Sequence, residues 1–279
     1  MLETLSNLLN IIVLFFAASS MLSVGFSYTI HEIIAPLRSI PQVVKALIAN
    51  FVLVPILGYL LIHIFQMERP IEIGLILIAC AAGAPFLIKL TIAAGTDVAL
   101  STSLLALLLP LTIVYMPLVV PIEVPEAKIN SMAIATPLVL TMLVPLAIGF
   151  LLHAYFPKWT NRLQPVLSKL SSLALILLFA ITFIVYYKAI LGILGEGIIL
   201  AAAILIIGAF GIGYLLGGPG IAAKHVLALG TAQRNISAAT VVATQGFDDR
   251  KTLIVVILSS LLALILLFPI AKLLRRQEK

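Results

Sequence analysis

The sequence predicts an all-α polytopic membrane protein of nine transmembrane helices, with inverted repeats, two discontinuous crossing helices, and a core and a panel domain. Three observations carry that expectation. Hydrophobic residues make up 62% of the 279-residue chain and charged ones only 10%, against about 25% charged in an ordinary soluble domain. Water cannot solvate the surface such a chain would present, so lipid is its solvent. The apolar residues gather in runs of the length, about 20 residues, that crosses a hydrocarbon core of about 30 Å. Two of those runs are interrupted near their middles by glycine, proline and strongly polar side chains.

In chain order the runs lie near 6–28, 41–65, 71–94, 97–120, 130–154, 165–188, 197–218, 221–245 and 250–274. Loops rich in Pro, Gly and charge separate them, among them His31–Pro41, Gln66–Pro70, Pro121–Asn130 and Pro157–Pro165. No segment is left over for a soluble domain, so residues 1–279 form one transmembrane unit. The formal net charge of +6 does not point to nucleic acid, because the basic residues fall in the gaps between runs. That placement follows the positive-inside rule. With the carboxyl end cytoplasmic, the inner set is Arg38, Lys45, Lys158, Arg162, Lys169, Lys224, Lys272, Arg275, Arg276 and Lys279. The outer set is Arg69, Lys128, Lys188, Arg250 and Lys251, so ten stand against five. The expected setting is a plasma (inner) membrane with the amino terminus outside. Glu68, Glu72, Glu123, Glu126, Asp248 and Asp249 fall on the outer side. The first run is too long and lacks the basic leader of a cleavable signal peptide.

The third run contains Cys80-Ala-Ala-Gly83-Ala-Pro85-Phe-Leu-Ile-Lys89, and the eighth Leu229-Gly230-Thr231-Ala-Gln233-Arg234-Asn235-Ile-Ser237. A cation at mid-helix costs about 2.5–3.5 kcal/mol on insertion scales, and broken helices at membrane depth persist only inside protein or beside a wet cavity. Gly83, Pro85 and Gly230 are the expected helix breaks. The two runs hold matching places. Ala94-Gly95-Thr96-Asp97 leads into Ser103-Leu-Leu-Ala-Leu-Leu-Leu-Pro110, and Gln245-Gly246-Phe247-Asp248 leads into Ser260-Leu-Leu-Ala-Leu-Ile-Leu-Leu-Phe-Pro269. Runs one to four thus read as a repeat of runs six to nine (about 6–120 and 130–274), in opposite senses. Interrupted segments in matching places of two inverted halves are the best sequence pointer to a transporter site.

Ala49-Asn50-Phe-Val-Leu-Val-Pro55, Cys80-Ala-Ala-Gly83-Ala, Asp97-Val-Ala-Leu-Ser101 and Gly230-Thr-Ala-Gln233-Arg-Asn235 resemble the bile acid:sodium symporter family over nearly the whole chain. The resemblance implies a core domain with two unwound crossing helices, a moving panel domain (here runs 1, 5 and 6), and secondary transport of an organic anion, often with sodium. Bacterial members usually have ten helices, so the resemblance implies that the first is missing here. Departures from the family pattern weigh against sodium. Leu87 and Ile88 stand where it offers Ser-Asn, Leu105 replaces the second of two hydroxyls (Ser101 is kept), and Leu229 replaces a shared glutamate. Asn50 and Gln233 supply amide oxygens where the family places glutamines. Hard cations want several oxygen ligands.

The expected function is therefore a secondary transporter moving a small organic anion by alternating access, sodium-independent or proton-coupled. Its site residues are Asn50, Lys89, Ser101, Gln233, Arg234, Asn235 and Ser237. Fixed positive charge stands in for bound sodium: Arg234 attracts the anion, and Lys89, held in low dielectric, can exchange a proton. The half-helix amino ends add N–H donors. The alternatives are a sodium-coupled bile-acid-like symporter, or an auxin- or arsenite-carrier-like efflux protein of the same superfamily. Each residue also has a plainer reading. Asn50 and Gln233 can be interhelical hydrogen bonds, Lys89 can snorkel, and Asn235 and Ser237 can cap a half-helix. Asp97 reads as a helix cap, Cys80 as a small buried hydrophobe, and His31, His63, His153 and His225 as interfacial residues without metal spacing. A lone cysteine excludes an intramolecular disulfide. A membrane enzyme is not expected, because the acidic residues lie almost all in loops. No cofactor, confident metal site or nucleic-acid partner is expected, nor an ATP-binding glycine loop.

Overall fold

The computed structural model describes residues 2–27, 29, 39–123, 131–194, 197–247 and 249–275. Arg38, Glu126, Lys128, His31, Asp248, Arg276 and Lys279, used in the sequence argument, lie outside the described residues. The described part is all helix: α1 (Leu2–Gly25), α2 (Ile40–Phe65), α3 (Arg69–Cys80), α4 (Leu87–Ala94), α5 (Val98–Glu123), α6 (Ser131–Tyr155), α7 (Pro157–Leu194), α8 (Ile198–Leu216), α9 (Ile221–Ala232), α10 (Ile236–Gln245) and α11 (Arg250–Leu274). Among the described residues, seven of these are long and apolar enough to cross a membrane: α1, α2, α5, α6, α7, α8 and α11. The remaining four form two broken pairs, α3/α4 and α9/α10.

Proline explains most differences from the expected boundaries. The stretch 157–165, expected as a loop, is the first turns of α7: Pro157 opens the helix where no intrahelical N–H is needed, and Pro165 lies inside it. Pro70 likewise opens α3. Pro55 and Pro145 sit inside long helices, and each follows a π-helical turn, Ala49–Leu53 in α2 and Val139–Leu143 in α6. A wider turn spares the carbonyl that the proline ring would otherwise strike.

Packing divides the helices into two groups. α1, α6 and α7 pack on one another, and α1 meets α6 where an added Cβ on Gly25 would lie 2.7 Å from the Gly149 Cα. α2–α5 and α8–α11 pack as a second group, with α3 against α11 and α8 against α9. α5 and α10 meet α6, α10 meets α1, and α11 meets α7, which joins the groups. His153 and His225, expected at the interface, are instead buried. His153 Nδ1 lies 2.8 Å from Thr160 Oγ1, and the His225 ring lies 6.2 Å from Tyr214. Helix packing encloses them.

Candidate functional site

The two breaks cross each other, and their geometry follows from carbonyls that have lost their helical donors. Buried backbone oxygens must find partners, and in lipid no water supplies them. α3 ends at Cys80, so the carbonyls of its last turn point into the crossing. Arg234 takes two of them: Nε donates to Ile78 O at 3.1 Å and Nη2 to Ala79 O. Beyond the helix end, Asn235 N donates to Ala81 O at 2.8 Å, Thr112 Oγ1 to Ala82 O at 3.0 Å, and Asn235 Nδ2 to Gly83 O at 3.0 Å. The Ala84 carbonyl accepts from Leu87 N at the start of α4.

The wide turn of α2 contributes a second set. Val54 N bonds Ala49 O, and Pro55 has no N–H to give, so Asn50 O lacks a helical donor. Arg234 Nη2 approaches it at 3.4 Å. The next carbonyl, Phe51 O, accepts the Tyr115 hydroxyl at 2.8 Å. Arg234 Nη1 donates to Asn50 Oδ1 at 2.9 Å and to Thr231 O at 3.1 Å, near the end of α9. A guanidinium has five N–H donors, and these contacts engage all of them. Asn50 completes the network by donating to Ala46 O and to Thr231 Oγ1. Arg234 is 3% exposed and Asn50 fully buried. The sequence reading gave Arg234 to the anion; the geometry gives its donors to protein oxygens, leaving only its charge to act at longer range.

Beside the crossing lies a cavity of about 380 Å3, bounded by α1 and α7 on one side and by the breaks, α4, α5, α10 and α11 on the other. On the first side Ser20 and Ser23 of α1, Ser27 just beyond it, and Gln164, Ser168, Ser171 and Ser172 of α7 set polar groups among the apolar Phe16, Val24, Leu175, Ile176 and Phe179. On the other side Lys89, Gln233, Arg234 and Ser237 stand among Pro85, Phe86, Ile88, Leu105, Ile236 and Leu264. Lys89 Nζ, exposed to this space, donates to Ser172 Oγ at 2.9 Å and lies 5.2 Å from the Phe86 ring centre. A cation over an aromatic face is held by the ring quadrupole. No carboxylate lines the cavity among the described residues.

The expected site residues are thus only partly assembled. Lys89, Gln233, Arg234 and Ser237 line the cavity, whereas Asn50 lies behind Arg234 in the crossing. Asn235 is engaged structurally, since its Oδ1 also accepts from Ala238 N and caps α10. Ser101 is buried, bonds back to Val98 O at 2.8 Å and does not line the cavity. Gly83 and Pro85 fall in the first break, but Gly230 is inside α9, where an added Cβ would lie 2.5 Å from Leu104. Leu104 packing, rather than a break, is its local constraint. Asp97 Oδ1 accepts from Leu100 N and caps α5, and Cys80 is fully buried. Sequence reading missed the serine wall, though its signal was present: Ser20, Ser23 and Ser27, like Gln164, Ser168 and Ser171, recur at helical spacing on one face.

The sodium bile acid symporter family model matches residues 11–193, well over half of the chain. The chain belongs to that family. It is a family of transporters, not of enzymes. Relatives include two from plants. The probable sodium/metabolite cotransporter BASS2, chloroplastic, of Oryza sativa subsp. japonica is 27% identical over 70% of this chain and 47% of its own length. The probable sodium/metabolite cotransporter BASS6, chloroplastic, of Arabidopsis thaliana is 24% identical over 82% of this chain and 59% of its own length. The chain spans about half the length of the curated relatives it matches.

Proposed function

We propose that this integral membrane protein is a secondary transporter that moves a small organic anion by alternating access. The observation that carries the reading is the cavity between the two helix groups, lined by serines and amides among apolar side chains and cationic at Lys89. α2–α5 and α8–α11 act as the core, α1, α6 and α7 as the panel, and the broken pairs as two further spans, giving nine in two inverted repeats. Family membership and the long apolar helices support this arrangement. With the carboxyl end in the cytoplasm of a plasma membrane, this reading makes the cavity an inward-facing one. The outer side is closed by Asn10 Oδ1 accepting from Arg250 Nη1 at 3.2 Å and by Ile134 against Gly246.

Transport in this reading does not need sodium. The oxygens that a cation would require around the crossing already accept from the fixed Arg234 guanidinium, from Asn235 and from Thr112. The bound ion's structural work, holding helix ends and unwound carbonyls together, is done by a side chain. Lys89 is then the candidate proton carrier. A second reading, sodium-coupled symport, is favoured by the relatives' printed names. Purified protein in sealed liposomes decides between them. Uptake of a labelled carboxylate is expected to be unchanged when choline replaces sodium, and to respond to an imposed pH gradient. Strict sodium dependence would establish the second reading instead.

A further inference from the structure

We infer that Gln233 reads a hydroxyl group on the substrate, so that the carrier prefers a small hydroxy acid to the matching 2-oxo acid. This rests on the anion-carrier reading. Gln233 is 1% exposed and lines the cavity, yet its Oε1 has no hydrogen-bond partner. The amide orientation suits its neighbour: Nε2 lies 3.5 Å from Arg234 O, where an exchanged oxygen would face another oxygen. The guanidinium of the adjacent Arg234 has every N–H engaged elsewhere. A buried acceptor without a donor costs free energy, and because Oε1 is itself closed off from solvent, a substrate O–H or N–H relieves it as the amide turns into the cavity.

The surroundings choose between those donors. Lys89 and Arg234 both line the cavity, and no carboxylate does among the described residues. An ammonium would therefore meet like charge with nothing to offset it, whereas a neutral hydroxyl meets no such cost. The carboxylate of the same molecule goes to Lys89, which it can take from Ser172. The serines of the opposite wall cannot distinguish a hydroxyl from a carbonyl, since each can both donate and accept. An amide oxygen only accepts. Gln233 is thus the position at which a 2-oxo acid, having no donor, leaves the acceptor unpaired, and sites of this kind reject the analogue that lacks the group.

The test compares matched pairs (lactate and pyruvate, 2-hydroxyisovalerate and 2-oxoisovalerate, 2-hydroxyglutarate and 2-oxoglutarate) for binding to the purified full chain in nanodiscs by calorimetry, with sodium and with choline. At least one pair is expected to show the hydroxy acid binding about tenfold tighter or more, in both salts. Gln233→Met keeps the side-chain length and removes the acceptor, and is expected to bring that ratio close to one. The ratio is internal to each sample, so a lowered folded fraction does not disturb it. If Gln233→Met does not fold, Gln233→Leu, which also lacks the acceptor, makes the same comparison. Equal affinities or an oxo-acid preference in the wild type overturn the inference. A preference that survives in Gln233→Met overturns it too, as does one that appears only with sodium, which would make Oε1 a cation ligand. If no member of any pair binds, the anion-carrier reading falls and takes this one with it.

Discussion

Arg234 shows how a charge can reside at membrane depth without being available to a ligand. Its five donors meet the side chain and backbone of Asn50 and the carbonyls of Ile78, Ala79 and Thr231. The fork geometry of a guanidinium makes this possible; a lysine has three donors on a single atom and cannot reach so many separated oxygens. Arg234→Met leaves those acceptors unpaired, except Ile78 O, which keeps the Ala81 N–H at 3.3 Å; at about 1–3 kcal/mol each, the loss is expected to lower the melting temperature sharply in detergent. Arg234→Lys is expected to fall between Met and the wild type. Equal stability of wild type and Arg234→Met would show that the network does not hold the crossing. If Arg234→Lys melts like the wild type, charge alone, without the fork, is sufficient.

At the scale of elements, the broken helices depend on backbone that only certain residues can adopt. Gly83 has φ +70°, and an added Cβ would lie 2.6 Å from the backbone nitrogen of Leu109 in α5. Gly83→Ala therefore meets both a left-handed strain of about 1–2 kcal/mol and a clash with helix backbone that cannot move aside. It is expected to destabilise the protein by more than the strain alone, read as a loss of folded protein on size exclusion and a lower melting temperature. A fully stable Gly83→Ala would mean that the first break is not fixed where it is seen. Much of this level was legible in the sequence. Gly83, Pro85 and the polar run 233–235 marked both interruptions, because glycine, proline and clustered polar groups have few places in a lipid-solvated helix. What the sequence hid is tertiary. Nothing in the spacing of Arg234 told that its guanidinium turns toward the Ile78 and Ala79 carbonyls rather than the cavity, and nothing in Ser101 told that it bonds its own helix. The orphan carbonyls that decide such choices exist only once α2, α3 and α9 have met.

For the whole molecule, alternating access requires that the two helix groups separate on one side while they remain closed on the other. In the proposed carrier the contacts divide between two ends. The cavity lining runs from Phe16 of α1 to Ser27 just beyond it, and along α7 from Gln164 to Phe179, near the end that carries Lys158 and Arg162. At the other end Asn10 and Arg250 bridge α1 to α11. The lone cysteine, Cys80, is fully buried, so an introduced cysteine can be labelled without first making a cysteine-free background. Ser168→Cys, on the open side of the cavity, is expected to react with a membrane-impermeant maleimide in inside-out vesicles and much less from outside in intact cells. Adding Asn10→Ala removes the outer bridge. Because a single hydrogen bond contributes only about 1 kcal/mol, the expected shift is modest: a several-fold rise in labelling from outside. Labelling from inside falls only by the same small share of molecules, because one two-state equilibrium governs both faces and the inward-facing state stays the major one. Unchanged outside labelling would mean that the bridge from Asn10 to Arg250 does not hold that side closed.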